Sequence, residues 1–387
     1  MGLAMGLVLA ADGLLRTGWQ GGLGQILGSD FITLYAAGLS FRQAPVQLYD
    51  FATQAAVQQQ LIAPTPLPGL NPFISPPYVA AAYSLLTALP LPWAFGLWTL
   101  FSLAALLLAA QLLSRTLITP ALRQNGLSAF QLAVLLGSSF AFVSGWRVGQ
   151  NHALTLLLVS AALAAQSRGR WELAGLFAGL LIYKPHFTLG LLLLWLAWGR
   201  WRALASFAAV AGLWIGATLM QAGWTPFSAY LRLSPVLLEL PYTPGFPAYL
   251  LITPYGLLST LLPRTAQFWI QATTQSLMFL LGLGLFSLGR RTRSADPTLA
   301  LAAALLYPLL TMPYALLHDA LLLAPVLLLL ARAAPHPRLL PMSLFIYLGA
   351  LFLPLMGYGT GIAWPALLPL AALSADWPAL ARAGASR

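Results

Sequence analysis

The chain is built from long apolar runs that short polar segments separate. Three clear examples are AFGLWTLFSLAALLLAAQLL (94–113), FWIQATTQSLMFLLGLGLFSL (268–288) and PMSLFIYLGALFLPLMGY (341–358). A helix needs roughly 17–25 predominantly apolar residues to cross a bilayer. The runs are continuous rather than alternating, which excludes a transmembrane β-barrel. The pattern predicts an all-α polytopic membrane protein with about 10–13 transmembrane helices.

Several apolar segments are too short to cross a bilayer alone. Residues 77–90 and 247–262 are expected to form half-helices or re-entrant segments. Asp12 and Arg16 interrupt the first span, residues 1–18, which lacks the layout of a cleavable signal peptide. Either the true start lies upstream, or this first helix ends early.

The longest polar stretch, residues 19–76, predicts an outer loop that carries two amphipathic helices, over 30–43 and 46–62. Four closely spaced prolines then favour an extended return to the membrane. A second and shorter outer loop covers 222–246. Neither loop is large enough to fold as an independent domain, so residues 1–387 are predicted to form a single integral-membrane domain.

Composition and charge exclude several classes of protein and of functional site. Only 7% of the residues are charged and the formal net charge is +11, whereas a soluble domain carries about 25% charged residues. The arginines cluster in short loops, as the positive-inside rule describes, so membrane lipids are expected as partners and nucleic acid is not. The absence of cysteine removes disulfides, thiolate catalysis and thiolate metal sites. With no histidine pair four residues apart and no Asp-x-Asp, no metal or other cofactor is expected.

The arginine distribution also predicts a topology. Thirteen of the 18 arginines fall in predicted cytoplasmic loops, while much of the remaining ionisable chemistry falls at helix ends on the opposite face. We therefore expect a multi-pass protein of the inner (plasma) membrane with a site that faces the periplasm or outside. Ionisable residues at membrane depth are costly and mark functional sites by default.

Asp30 directly follows the first span and enters a predicted helix. It can act as an N-cap, worth about 1 kcal/mol, or as a general base at the membrane surface. Ser29 could cap the helix equally well. The sequence alone favours the cap.

The stretch GWRVGQNHALTL (145–156) places Arg147, Gln150, Asn151 and His152 between two apolar helices. A connecting turn explains part of this pattern but not an arginine, an amide pair and a histidine within six residues. Such a cluster could bind phosphate or sugar hydroxyls.

Lys184 is the only lysine in the chain and lies in the apolar stretch LLIYKPHFTLG (180–190). Snorkelling explains how a lysine is tolerated there, with its stem in lipid and its amine at the headgroups. The following Pro185 predicts a turn between two spans. A contact with a phosphate on the outer face would explain both why Lys184 carries a charge there and why it lies at that depth in the membrane.

His318 and Asp319 stand at the outer start of a long apolar helix. Asp319 can serve that helix as an anion at its positive end, which leaves His318 without an evident structural role. Asp50 either holds the outer helices in place or contacts a substrate. Arg232 is a weaker candidate for a cation beside a phosphate.

Four stretches, in this order, resemble one known family. They are SDFITLYAAGLSFRQAPVQLYD (29–50), SPPYVAAAYSLLTALPLP (75–92), the segment 149–202 and PYALLHDALLLAPVLLLL (313–330). Each motif is weak alone, but together they resemble glycosyltransferase family 87. Its characterised members are bacterial polyprenyl-phosphate-mannose-dependent mannosyltransferases with the GT-C membrane fold.

The resemblance implies roles for particular residues. It makes Asp30 the catalytic base, because GT-C enzymes carry a catalytic carboxylate in the first outer loop. The residues implied to bind the donor phosphate or sugar are Lys184, Arg147, Gln150, Asn151 and His318. Asp50, Tyr78, Asp319 and Arg232 are further candidates that would support these residues. The short second outer loop departs from the family pattern, so the resemblance does not identify the acceptor.

The implied reaction moves a hexose, with mannose favoured, from a polyprenyl-phosphate donor to a hydroxyl of a glycan or glycolipid acceptor. A single base opposite the leaving group implies inversion, since a retaining mechanism would need two close carboxylates. Cationic side chains can neutralise the phosphate, so a metal is not required.

Three alternatives stay open. One is a GT-C transferase for another sugar, such as arabinose, glucose or an amino sugar, and another is an inactive homologue. A transporter or flippase for a polar lipid ranks lower, because it would place charges near the midplane and show two matching halves.

Overall fold

The structure is a computed structural model, and the fold is helical throughout the part of the chain that it describes. The described residues are 19, 26–243, 245–293, 296–333 and 339–374. Within them every regular element is a helix, and one isolated antiparallel bridge joins Leu251 to Leu316. The predicted span 1–18, with Asp12 and Arg16, lies outside the described residues.

Ten α-helices lie within the described residues before residue 200. They are α1 (Ser29–Gln43), α2 (Phe51–Ile62), α3 (Pro77–Ser84), α4 (Leu91–Leu117), α5 (Pro120–Gln124), α6 (Ala129–Gly137), α7 (Phe140–Val148), α8 (His152–Ser167), α9 (Trp171–Leu180) and α10 (Leu189–Trp198).

Eight more α-helices follow in the described part of the chain. They are α11 (Trp201–Ala222), α12 (Thr225–Arg232), α13 (Ser234–Glu239), α14 (Pro254–Leu261), α15 (Gln267–Thr292), α16 (Thr298–Thr311), α17 (Leu323–Ala333) and α18 (Leu339–Thr360). Short 3₁₀ turns join several of them, and the one over Leu317–Leu322 carries two of the predicted site residues.

Four of these helices are long and apolar enough to cross a membrane, namely α4, α11, α15 and α18. The helices α6 and α7 meet at 64° and add a fifth span if they are counted as one broken helix. The shorter apolar helices are His152–Ser167, Trp171–Tyr183, Pro185–Trp198, Thr298–Thr311 and Trp364–Ser374. An all-α polytopic membrane protein is thus confirmed, while a total of 10–13 crossings remains a prediction.

Small residues let the central helices pack backbone against backbone around the fully buried Trp195. A Cβ added at Gly190 of α10 would collide with the Ala304 carbonyl of α16, and one at Gly175 of α9 with that of Ala203 on α11. Close approach at small residues is the usual way for helices to associate in membranes. This bundle holds the helix ends that carry the site.

The two helices predicted in the first outer loop form, but only α2 behaves as a surface helix. Ten of the 15 residues of α1 are buried, so the predicted amphipathic character of 30–43 is wrong. The physical reason is Gly38, whose missing side chain lets α1 lie directly on the backbone of Tyr83 and Ser84 in α3. The predicted short segments at 77–90 and 247–262 are confirmed as helices too short to span.

Two glutamines of α2 hold the proline-rich return segment in place. Gln54 accepts a hydrogen bond from the Phe73 amide at 2.7 Å, and Gln58 donates to the Asn71 carbonyl at 2.7 Å. Both glutamine side chains are buried. The return segment is therefore fixed against α2 without any regular backbone ladder, and Asn71 has a defined position.

The helical run around Lys184 breaks where the proline predicts. A 3₁₀ turn over Leu181–Tyr183 ends at Lys184, whose backbone is not helical (φ −129°, ψ 71°), and a second 3₁₀ turn begins at Pro185. The break places the Lys184 ammonium group at the junction of two apolar helices, rather than on the side of one.

Candidate active site

Asp30 lies half-buried in the first turn of α1, and each of its carboxylate oxygens accepts one hydrogen bond. Asn71 Nδ2 donates to Oδ1 and Gln150 Nε2 donates to Oδ2, both at 2.7 Å. Both donors are neutral amides, and no ion pair between described residues involves this carboxylate. A carboxylate has about four lone-pair sites, so the group is oriented and still able to accept a proton.

The capping interpretation of Asp30 is wrong. The N-cap of α1 is Gly28, which adopts a left-handed backbone conformation (φ 67°), and no side chain caps the helix, that of Ser29 included. The positive end of the helix still favours an anion at Asp30. The carboxylate is therefore held by the side chains of Asn71 and Gln150 rather than by the backbone amides of its own helix.

The turn between α7 and α8 places Gln150 next to Asp30. Gly149 has a positive φ of 76° and packs so closely on Phe31 that a Cβ would lie 2.5 Å from that side chain. The Gly28 amide donates to the Arg147 carbonyl at 3.0 Å, which locks the turn onto the start of α1. The Arg147 side chain is half-buried beside this turn.

Asn71 is a site residue that the sequence did not reveal. It lies in the proline-rich return segment, and its carbonyl accepts hydrogen bonds from Gln58 at 2.7 Å and Thr33 at 3.0 Å. The sequence shows Asn71 only as an amide side chain before Pro72. Its contact with Asp30 joins residues 41 positions apart, and no local pattern indicates such a contact.

Lys184 has a partner that the sequence did not predict. Its Nζ donates to Asp319 Oδ1 at 2.8 Å, and the two side chains are 15% and 6% exposed. Asp319 Oδ2 also accepts from the Leu316 amide at 3.2 Å, which closes the start of the 3₁₀ turn Leu317–Leu322, whereas the long apolar helix begins only at Leu323. An ammonium group has three donors, so this pairing leaves two N–H groups of Lys184 that could donate to a ligand.

His318 and His152 lie next to the ion pair and are both buried. Their ring centroids are 5.9 Å apart, and His318 Nε2 lies 3.6 Å from Asp319 Oδ2. His152 Nε2 is 3.1 Å from the Phe142 carbonyl, which can only accept, so this nitrogen carries the proton. A Cβ at Gly145 would lie 2.6 Å from the His152 ring and 2.7 Å from His318 Cβ. The glycine therefore makes room for both histidines.

Two tyrosines lie near the Asp30 group and the Lys184 pair, and within the described residues the Tyr83 hydroxyl is buried without a hydrogen-bond partner. The Tyr83 hydroxyl lies within electrostatic range of Asp30 and of Tyr183, and Tyr183 pairs with Thr155 at 2.9 Å. The His318 imidazole is within electrostatic range of both carboxylates, those of Asp30 and Asp319. The segment 145–150 contacts both groups, because Gly145 lies against His318 and Gln150 donates to Asp30, and it joins them into one candidate site at the helix ends.

The structure brings together most of the predicted residues, namely Asp30, Gln150, Asn151, Lys184, His318 and Asp319. Asn151 adjoins Gln150, whose Oε1 accepts its amide hydrogen bond at 3.2 Å, and it is 7% exposed. Its side-chain Oδ1 is buried without a partner in the described part of the chain. That oxygen could accept a hydrogen bond from a ligand hydroxyl.

Three predicted supporting residues have other surroundings. Asp50 is an exposed N-cap of α2, and its hydrogen bonds with Thr53 hold the pKa of that carboxyl below its usual range. Tyr78 is buried and donates to the Ile182 carbonyl at 3.0 Å, which ties α3 to the break at Lys184. Arg232 is exposed at the end of α12.

Comparison with known proteins gives one family. Residues 73–243, less than half of the chain, match the model of glycosyltransferase family 87. The match includes Arg147, Gln150 and Lys184, whereas Asp30 and Asp319 lie outside it. No curated protein and no solved structure matches the chain.

Proposed function

We propose, from the premise that the family-87 match makes this protein a glycosyltransferase, that it transfers a hexose from a polyprenyl-phosphate donor to an acceptor hydroxyl. Mannose is the proposed sugar, and the proposed acceptor is a glycan or glycolipid. The site is proposed to face the periplasm or outside of the inner membrane, since most arginines cluster in loops of the other predicted face.

The observation that carries this proposal is the environment of Asp30. Its carboxylate is fixed by two neutral amides and keeps lone pairs for a proton. A general base must combine a fixed position with a free acceptor site, and such a base contributes about 10²- to 10⁴-fold to a rate.

The transfer step uses both groups of the site. Asp30 takes the proton of the acceptor hydroxyl as its oxygen attacks C1 of the sugar, and the C1–O bond to the lipid phosphate breaks. The phosphate leaves with the bonding electron pair, so negative charge increases on its oxygens. The two remaining N–H groups of Lys184 stabilise that charge in this proposal, and preorganised donors of this kind contribute several kcal/mol.

Asp319 and the neighbouring side chains prepare the cationic part of the site. The 2.8 Å ion pair holds the Lys184 ammonium group in one position. Gln150, Asn151 and His318 are proposed to orient the donor sugar or phosphate, and Arg147 to add positive charge. One base on one side of the sugar gives inversion at C1.

A donor assay tests this function directly. Membranes containing the protein would be incubated separately with polyprenyl phosphates that carry labelled mannose, glucose, arabinose or an amino sugar. Label should pass from the mannosyl lipid to a glycan or glycolipid product. Transfer from one of the other lipids alone would replace the proposed sugar, and no transfer from any of them would contradict the lipid-phosphate donor.

A further inference from the structure

Arginines gather at a junction of helix ends on the face that the arginine distribution predicts to be cytoplasmic. The start of α9, the turn between α10 and α11 and the end of α15 form this junction. A Cβ added at Gly289 of α15 would lie 2.7 Å from Ala197 Cβ of α10, and Trp198 Nε1 donates to Thr292 Oγ1 at 3.5 Å. The ring of Trp171 at the start of α9 lies edge-on to that of Trp198, with centroids 6.4 Å apart. The helix ends are therefore packed against one another, and we call this place the arginine junction.

Two arginines of the junction adjoin Gly199, which ends α10 in a left-handed backbone conformation (φ 66°). Arg293 Nη2 lies 3.4 Å from the point where a Cβ of Gly199 would stand, and Trp201 Nε1 lies 3.9 Å from the same point. Arg200 follows Gly199 directly, and its Cζ lies 4.4 Å from the ring centroid of Trp171. The turn at Gly199 thus carries two arginines, each beside a tryptophan.

In the described part of the chain, neither guanidinium group makes an ion pair or a hydrogen bond. The two acids near the junction in the sequence have other partners, Glu172 with Arg202 at 3.3 Å and Asp296 with the Thr298 amide at 3.0 Å. Arg200 Nε is buried without a hydrogen-bond partner, and a buried donor left unpaired costs free energy. The positive-inside rule requires only that arginines stay on one side, so it does not explain a guanidinium group that lies against an indole with a buried N–H.

The surface that leads to the junction is apolar. Phe279, Leu280 and Leu283 are exposed on α15, and Arg290, also exposed, follows Leu283 by about two helical turns on the same face. Trp201 is exposed at the start of α11, and tryptophan is typical of the boundary between lipid and water. Cations, a boundary aromatic residue and an apolar helix side match the phosphate, glycerol and acyl chains of a phospholipid. A free phosphate would contact only the cations.

We propose that the arginine junction binds an anionic phospholipid, with Arg200 and Arg293 donating to its phosphate group. Guanidinium groups form paired hydrogen bonds with phosphate oxygens, and basic pockets between transmembrane helices on the cytoplasmic side bind anionic headgroups. The phosphate supplies the acceptor that Arg200 Nε lacks, while the acyl chains lie along α15. The candidate active site is predicted to lie on the opposite face, so this proposal does not depend on the transfer reaction.

Fluorescence quenching beside the junction tests the lipid site. The chain has no native cysteine, so Ala205→Cys allows a single bimane label at an exposed position of α11, one turn after Trp201 on the same face. The labelled full-length protein would be reconstituted into phosphatidylcholine vesicles that contain phosphatidylglycerol or phosphatidylcholine with brominated acyl chains as the quencher. Phosphatidylglycerol should associate roughly tenfold more strongly than phosphatidylcholine, because each arginine near an anionic headgroup contributes several-fold.

The variant Arg200→Gln/Arg293→Gln should lose this tenfold preference, so that both lipids quench alike. Arg293→Gln alone leaves the contact of Arg200 with Trp171 in place, which guards against misfolding, and it should lower the preference several-fold. The matched control is Arg115→Gln/Arg123→Gln, because it removes two exposed arginines from another predicted cytoplasmic loop. The control should keep the preference of the wild type.

Three results would overturn the lipid site. The first is equal quenching by both lipids in the wild type, and the second is an unchanged preference in Arg200→Gln/Arg293→Gln. The third is an equal loss in the Arg115→Gln/Arg123→Gln control, since overall charge would then attract the lipid. Inorganic phosphate added to the vesicles should leave the preference unchanged, and a preference abolished by it would assign the junction to a free phosphate instead.

Discussion

At the scale of single residues, the sequence identifies reactive groups but not their partners. Asp30, Gln150 and Lys184 are recognisable because a charge or an amide is costly beside apolar helices. Their contacts join residues 41, 120 and 135 positions apart. No local pattern encodes such distances, so Asn71 and the pairing of Lys184 with Asp319 emerge only in the fold.

The ion pair of Lys184 and Asp319 leads to a prediction about stability. Lys184→Met leaves a buried carboxylate uncompensated and should cost about 3–5 kcal/mol, as breakage of buried pairs does. The double variant Lys184→Met/Asp319→Leu removes both charges and should cost clearly less than the two single changes together. Reversible unfolding in mixed micelles would measure the three variants.

The exposed pair of Arg202 and Glu172 is the matched control. Its atoms are 3.3 Å apart and its side chains are 80% and 57% exposed, so removal of either should change stability by less than about 1 kcal/mol. Equal losses of unfolding free energy at the two pairs, or a Lys184→Met protein as stable as the wild type, would contradict a larger contribution of the buried pair to stability.

At the scale of elements, the site is assembled from helix ends and breaks. Pro185 correctly predicts the break at Lys184, because proline cannot continue a helix. The start of α1 is the opposite case: the sequence offers Ser29 and Asp30 as caps, yet Gly28 takes that position. Asp30 instead accepts two tertiary hydrogen bonds from amides, and α1 goes without a side-chain cap, which is worth about 1 kcal/mol.

Gly145, inside α7, leads to a prediction about the packing of that helix against the two histidines. A methyl group there would contact the His152 ring and His318 Cβ at 2.6–2.7 Å. Gly145→Ala should therefore destabilise the protein by about 1–3 kcal/mol, as overpacking does, and should lower transfer by displacing His318. Thermal unfolding and the transfer assay would measure both effects.

Gly212→Ala provides the comparison, because Gly212 lies in α11 with no heavy atom within 4 Å of an added Cβ. Alanine there should be neutral or stabilise the helix by up to about 1 kcal/mol. If both alanines behave alike, the histidines do not depend on the space that Gly145 leaves.

At the scale of the whole molecule, the apolar pattern was sufficient to predict an all-α membrane protein. It could not count the spans, because breaks such as the 64° bend between α6 and α7 divide apolar runs into pieces shorter than a bilayer. Hydropathy also does not show that α1 is enclosed, because that depends on α3 packing against Gly38. Arginine placement adds the orientation as a prediction.

Cysteine labelling tests that orientation in a chain that has no native cysteine. Ala56→Cys in α2 and Arg168→Cys after α8 both introduce an exposed thiol. In intact cells, an impermeant maleimide should label residue 56 and reach residue 168 only after the membrane is opened. Labelling of both thiols in intact cells would overturn the predicted topology.

The central claim is that the Asp30 carboxylate accepts the acceptor proton, and the Asp30→Asn turnover rate tests it most directly. Asparagine keeps the size of the side chain but removes the base, so transfer should fall about 10²- to 10⁴-fold while folding and insertion persist. Asp50→Asn, which alters an exposed cap, should transfer at nearly the wild-type rate. An Asp30→Asn protein that turns over a polyprenyl-phosphate sugar as fast as the wild type would contradict the claim.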